Sequence, residues 1–151
     1  MSGYSGTPLA KKLGIRGGVR LFVRRAPDNY QQLLAPRPDG VATVRRFDAH
    51  TDIAHVFASR RAELRESLQD MRRAMRDDAV IWVSWPKKAS RRPTDITEDA
   101  IREVALPLGL VDIKVCAVDE TWSGLKLMLR RSERASPAKP RGAPRPRAPR
   151  S

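Results

Sequence analysis

The side chains best placed to do chemistry follow the longest apolar run of the chain. Trp85-Pro86-Lys87-Lys88 is succeeded at once by Ser90, Arg91 and Arg92. Lys87, Lys88, Arg91 and Arg92 put four cations within a few residues, and cations at the carboxyl end of a buried strand can receive a phosphate or carboxylate. The competing reading is an ordinary solvated loop, with Trp85 in the core. A second group is Asp119, Glu120 and Trp122. Two carboxylates beside an indole suit acid–base work or a partner's cation. Nothing nearby signals the burial that would shift either carboxyl, so a polar turn with a packed indole competes. His50 and His55 with Asp48 and Asp52 suggest metal, but no third ligand stands at a recognisable spacing. On a strand His55 faces the apolar side, which predicts a hydrogen-bonded core histidine. Cys116 reads as a small half-buried hydrophobe. Ser84 and Ser123 lack a glycine-flanked nucleophile turn, and no P-loop occurs. No catalytic residue, metal ligand or cofactor is assigned.

Composition narrows the classes further. The chain has 151 residues, 40% hydrophobic and 31% charged, enough for one domain with a highly charged surface. The longest apolar stretch, residues 79–83, falls far short of the roughly 18 a membrane helix needs. A single cysteine, Cys116, excludes an internal disulfide and fits a reducing compartment. These features predict a cytoplasmic protein with no membrane partner. The net charge is +13; six basic residues and no acidic one fall within 134–151, leaving +7 on residues 1–133. Residues 1–133 are expected to form the domain, and 134–151 a disordered tail rich in proline and basic side chains. Arg141, Arg145, Arg147 and Arg150 there can grip nucleic acid nonspecifically through phosphates.

The elements that must position these groups alternate. Thr7-Pro8 opens a short helix that Gly14 ends, and residues 19–23 form a strand. Asp28 and Gln31 resemble a capping box leading to Leu34. Weaker strand signal covers 41–47 and stronger signal 52–58, with Ile53, His55 and Phe57 on one face. Ser59 is the expected cap of a helix whose Leu64, Leu68, Met71 and Met75 form an apolar stripe. Residues 79–85 read as a strand apolar on both faces, typical of the centre of a parallel sheet. Thr97 caps a helix with the stripe Ile101, Val104, Ala105 and Leu108, ended by Gly109. Strands at 111–118 and 125–129 make a hairpin around a loop at 119–124. The alternation predicts an α/β three-layer sandwich, mostly parallel, with the hairpin adding an antiparallel strand at an edge.

Several of these blocks carry a resemblance. Tyr4-Ser5-Gly6-Thr7-Pro8-Leu9 with Lys12-Leu13-Gly14-Ile15 resembles the opening of a family of small bacterial proteins known only as a domain of unknown function. Trp82-Val83-Ser84-Trp85-Pro86-Lys87-Lys88 is similar to that family's middle signature. Val118-Asp119-Glu120 followed by Trp122-Ser123-Gly124-Leu125-Lys126 is similar to its end. The second half also resembles the latter half of class I methyltransferases, which implies a shortened Rossmann-type sheet. Those enzymes place a glycine-rich turn after the first strand. Here that turn reads Arg24-Arg25-Ala26-Pro27-Asp28-Asn29, so S-adenosylmethionine is not expected. The function expected is non-catalytic binding or regulation, directed at an anionic small molecule or a protein. The alternatives are an enzyme or cofactor binder using the loop at 85–92, and a nucleic-acid-associated protein acting through the tail.

Overall fold

In the computed structural model, which describes residues 7–134, a mixed sheet of six strands is ordered β2-β1-β3-β4-β6-β5. The strands are β1 (Arg20–Arg24), β2 (Ala42–Val44), β3 (Ile53–Phe57), β4 (Val80–Pro86), β5 (Leu110–Ala117) and β6 (Trp122–Leu129). The helices are α1 (Leu9–Leu13), α2 (Tyr30–Leu34), α3 (Arg61–Ala74) and α4 (Glu98–Ala105). The strands β2, β1, β3 and β4 are parallel; β6 runs antiparallel to both β4 and β5. One core lies under α3 and α4, where Leu64, Leu68, Met71, Ile101 and Val104 meet Ala54, Val56, Ile81 and Val83. A second lies under α1 and α2, where Leu9, Leu13, Tyr30 and Leu34 meet Ile53, Phe57 and Trp82. Helices therefore cover both faces, as expected for a mostly parallel sheet. No helix among the described residues is long and apolar enough to cross a membrane.

The hairpin departs from expectation. Its antiparallel strand β6 does not take the edge; it inserts between β4 and β5, leaving β5 outermost. Burial explains the choice. Leu125, Leu127 and Leu129 of β6 are buried, whereas Ile113, Lys114 and Val115 of β5 are exposed. β6 also begins at Trp122 rather than residue 125, so Gly124 is a strand residue and not part of a turn. A Cβ at Gly124 would lie 3.5 Å from Trp82 Cε3 and 3.3 Å from Cys116 Sγ. The tight contact is with the Cys116 sulfur on the neighbouring strand, while the Trp82 ring lies beside this position at ordinary van der Waals distance.

The caps are half as read. Thr97 Oγ1 accepts from the Ala100 amide at 3.0 Å, and Gly14 ends α1 in the left-handed conformation. Ser59 does not cap α3. Its amide donates to Glu63 Oε1 and its carbonyl accepts from Thr94 and Asp95, so the chain enters α3 at Arg60. The carboxylate of Asp95 takes over the role, accepting from the Arg61 amide at 2.7 Å. Nor does Asp28 cap α2, where Asn29 precedes the first turn without a side-chain bond.

His55 is a fully buried core residue. One ring nitrogen meets Tyr30 Oη at 2.8 Å and the other Ser84 Oγ at 2.7 Å. Phe57 stacks on the ring at 4.4 Å between centroids. Burial pulls the imidazole down to about 3. The unfolded chain takes up a proton near pH 6.5 that the native ring refuses, so stability is complete above that pH and falls as the medium acidifies toward 3. We expect urea midpoints to drop through this window, the ring contributing up to about 1.4 kcal/mol per pH unit. His55→Gln should remove that part of the slope; an unchanged slope would rule out His55 as its source.

Candidate functional site

At the carboxyl edge of the sheet, the loop after β4 and the turn between β5 and β6 are built as one unit. Antiparallel pairing sets Trp85 opposite Ser123 and Pro86 opposite Trp122. Beyond the last pair the Lys87 amide donates to the Thr121 carbonyl at 2.7 Å. Lys88–Ser90 then make one 3-10 turn, which Arg91 ends with φ of +61°. Ser90 Oγ donates to the Lys87 carbonyl and accepts from the Arg92 amide. The Arg92 guanidinium lies 5.5 Å from the centroid of the Trp122 ring, within cation–π range. Among the described residues Lys88, Arg91 and Arg92 make no ion pair.

The two indoles flanking this loop face opposite ways. Trp85 is buried in the α3–α4 core and Trp122 in the α1–α2 core, edge-on to Phe57 at 5.0 Å. Trp85 is therefore core packing and does not join Trp122 as a ligand wall. Asp119 also has a structural task. Its Oδ1 accepts from the Thr121 and Trp122 amides at 2.9 and 2.8 Å, which closes the turn. Glu120 stands exposed at the tip of the turn. A paired acid–base role for Asp119 and Glu120 thus loses one of its carboxylates to the backbone.

The other parallel strands contribute further cations at the same edge, outside the motifs of the sequence. β1 ends in Arg24 and the turn begins with Arg25, a non-glycine residue with φ of +60°. Arg24 Nη1 donates to Ser67 Oγ, and Arg25 pairs with Glu63 at 3.6 Å. β2 is followed by Arg45 and Arg46, which with Arg24, Phe22, Phe47 and Asp70 line a cavity of about 210 Å³. Neither Arg45 nor Arg46 makes an ion pair among the described residues. The signal that finds them is the one used for Lys87: a cation directly after the last residue of a parallel strand. The first turn of α3, an ordinary anion site, is already covered by Asp95.

The remaining sequence candidates disperse. Asp52 is bound to the Arg20 amide and to Arg76, Asp48 accepts from the His50 amide, and His55 lies inside. Among the described residues no group of three or more His, Cys, Asp or Glu is placed to hold a metal. Burial pushes the Cys116 thiol up, against the pull of Lys12 and Lys114, so it is a poor nucleophile. Tyr4, Arg141, Arg145, Arg147 and Arg150 lie outside the described residues.

A family model described as "Protein of unknown function (DUF3052)" matches residues 48–131. No curated protein matches the chain. Among solved structures, a SAM-dependent methyltransferase from Aquifex aeolicus is similar at 12% identity and a TM-score of 0.56, over 80% of this chain and 87% of that one. A putative type 11 methyltransferase from Sulfolobus solfataricus gives 14% and 0.54, over 83% and 91%. OxaC, solved with SAH and oxaline, gives 14% and 0.55, over 82% of this chain and 46% of that one. At such identities the likeness shows a methyltransferase-like, Rossmann-type fold.

Asp119→Ala would leave two amides at the β5–β6 turn without their acceptor. The expected cost is about 2 kcal/mol in urea unfolding, with the Trp122 environment altered. A variant of native stability would mean the turn does not depend on that carboxylate.

Proposed function

We propose, from the premise that the chain belongs to this family of proteins of unknown function, that it is a non-catalytic binding or regulatory protein for an anionic small molecule. The ligand would sit at the carboxyl edge of the sheet, against Lys87, Lys88, Arg91 and Arg92. The observation that carries this reading is the loop itself. Backbone bonds to Thr121 and the Ser90 bridges hold it in place, and Arg92 is steadied on Trp122. A fixed loop presents its cations at little ordering cost when an anion arrives. Ligands of open α/β sheets lie outside the carboxyl ends of the strands, and here Arg45 and Arg46 extend the positive rim to β2. With +7 on residues 1–133, the general field also favours an anion.

A cofactor-binding reading is favoured by one observation, the shared fold with proteins such as OxaC, solved with SAH. The turn after β1 weighs against it. A glycine there lets a cofactor approach the backbone, whereas the side chain of Arg25 occupies that position and pairs with Glu63. Arg45 and Arg46 suit a phosphate better than the sulfonium cation of S-adenosylmethionine.

Thermal denaturation of the full chain against nucleotides, coenzyme A, phosphorylated metabolites and S-adenosyl compounds tests both readings. A ligand at about 100 times its Kd should add about 2.7 kcal/mol of stability. The expected result is a phosphate-bearing hit lost in the double variant Lys87→Ala, Arg92→Ala. A hit with S-adenosyl compounds alone would favour the cofactor reading. Silence across the panel would overturn both and leave protein and nucleic-acid partners.

A further inference from the structure

At the opposite, amino edge of the sheet a cavity of about 400 Å³ opens between the α1–β1 connection and the starts of β3 and β4. Small-molecule sites begin at roughly 300 Å³. The polar lining comes from Gly14, Arg16, Asp52, Arg76, Asp78 and Lys126. Its two carboxylates are already matched. Arg76 bonds both, and Asp52 accepts the Arg20 amide as well. Burial works to raise the Asp52 carboxyl, but these partners outweigh it and hold the group ionised.

The two other cations have no such match. Among the described residues neither Arg16 nor Lys126 makes an ion pair. Lys126 stands directly opposite Lys114 in the β5–β6 register, an arrangement of like charges that destabilises a sheet. Across the other ladder it is opposite Trp82, whose indole N–H donates to the Leu13 carbonyl at 3.0 Å, beside Gly14. Leu13-Gly14 and Lys126, from two of the sequence blocks, line this cavity, and Trp82 from the third stands behind it, bonded to Leu13. Burial, reinforced by Lys114, also draws the Lys126 ammonium below its ordinary value, as expected of a cation lacking its counterion.

The floor is suited to close approach. Gly14 and Gly18 have φ of +80° and +90°, and a Cβ built on either would meet nothing within 4 Å. Their backbone conformation requires glycine, and the space above them is open.

We infer that this cavity is a second binding site, taking a small oxyanion-bearing metabolite between the Lys126 ammonium and the Arg16 guanidinium. The anion supplies the countercharge that the Lys114–Lys126 pair lacks. This site lies at the other end of the strands from Lys87 and Arg92, so it stands or falls separately from the carboxyl-edge reading.

The test is an amide-resolved NMR titration of the full chain at low salt, with inorganic pyrophosphate in one arm and succinate in the other. Saturating shifts are expected at the Gly14, Gly17 and Gly18 amides and the Trp82 indole N–H. The arm that saturates at lower concentration identifies the anion as phosphate or carboxylate. Lys126→Gln and Arg16→Gln should each weaken this binding at least about tenfold, the loss of one charged hydrogen bond. Shifts at the Trp122 indole N–H and residues 87–92 report the carboxyl edge and should persist in both variants. Arg16 is exposed on a loop, so its variant keeps the test sound even if Lys126→Gln perturbs the sheet. Absence of saturating shifts at the glycine amides in both arms, or binding that survives both substitutions, would overturn the proposal.

Discussion

The Trp82 side chain binds the parts of this fold to one another. It projects from the central strand β4, fully buried, and its N–H reaches the last carbonyl of α1. Its ring lies over Gly124 of β6. One residue thus joins the amino-terminal helix, the parallel half of the sheet and the antiparallel hairpin. A side chain of this size contributes several kcal/mol of burial, and its hydrogen bond satisfies a carbonyl at a helix end that would otherwise lie orphaned. The ends of the strands, where both candidate sites lie, are held in register because this centre is.

Above that centre sits a second layer of constraint, polar rather than apolar. Tyr30, His55 and Ser84 link α2, β3 and β4 through two short hydrogen bonds inside the α1–α2 core. A buried network of this kind is favourable only when every member is satisfied, and it then penalises any other register. Asp119, itself buried, acts similarly at the edge of that core, its carboxylate holding the turn that carries Trp122. The loop 87–92 is built on that turn, and Arg92 rests on the indole.

Much of this was legible from residue order. The stripe of Leu64, Leu68 and Met71, the doubly apolar β4 and the cap at Thr97 are local patterns, and each formed where the pattern placed it. The inward orientation of His55 followed from strand alternation. The insertion of β6 between β4 and β5 was not legible, because it depends on comparing the burial of two strands and not on either pattern alone. Gly124 misled for a related reason: a glycine set inside a sheet between Ser84 and Cys116 reads locally as a turn. The cap of α3 by Asp95 is likewise a tertiary contact, from 34 residues downstream. At the candidate site, the cations after β4 stood out as a cluster. Arg24, Arg25, Arg45 and Arg46 acquire meaning only once strand order places their ends along the same edge.

The insertion of β6 also bears on how the chain assembles as it is made. A ribosome delivers β1, β2, β3, α3 and β4 first, and these can pair among themselves. One side of β4, with its run of buried apolar residues, then waits for a neighbour that lies some forty residues later in the chain. At the synthesis rates of roughly 5–20 residues per second this wait lasts seconds, during which an apolar strand edge is open to other chains. The nascent protein is therefore most exposed to misassociation after β4 emerges and before β6 pairs with it.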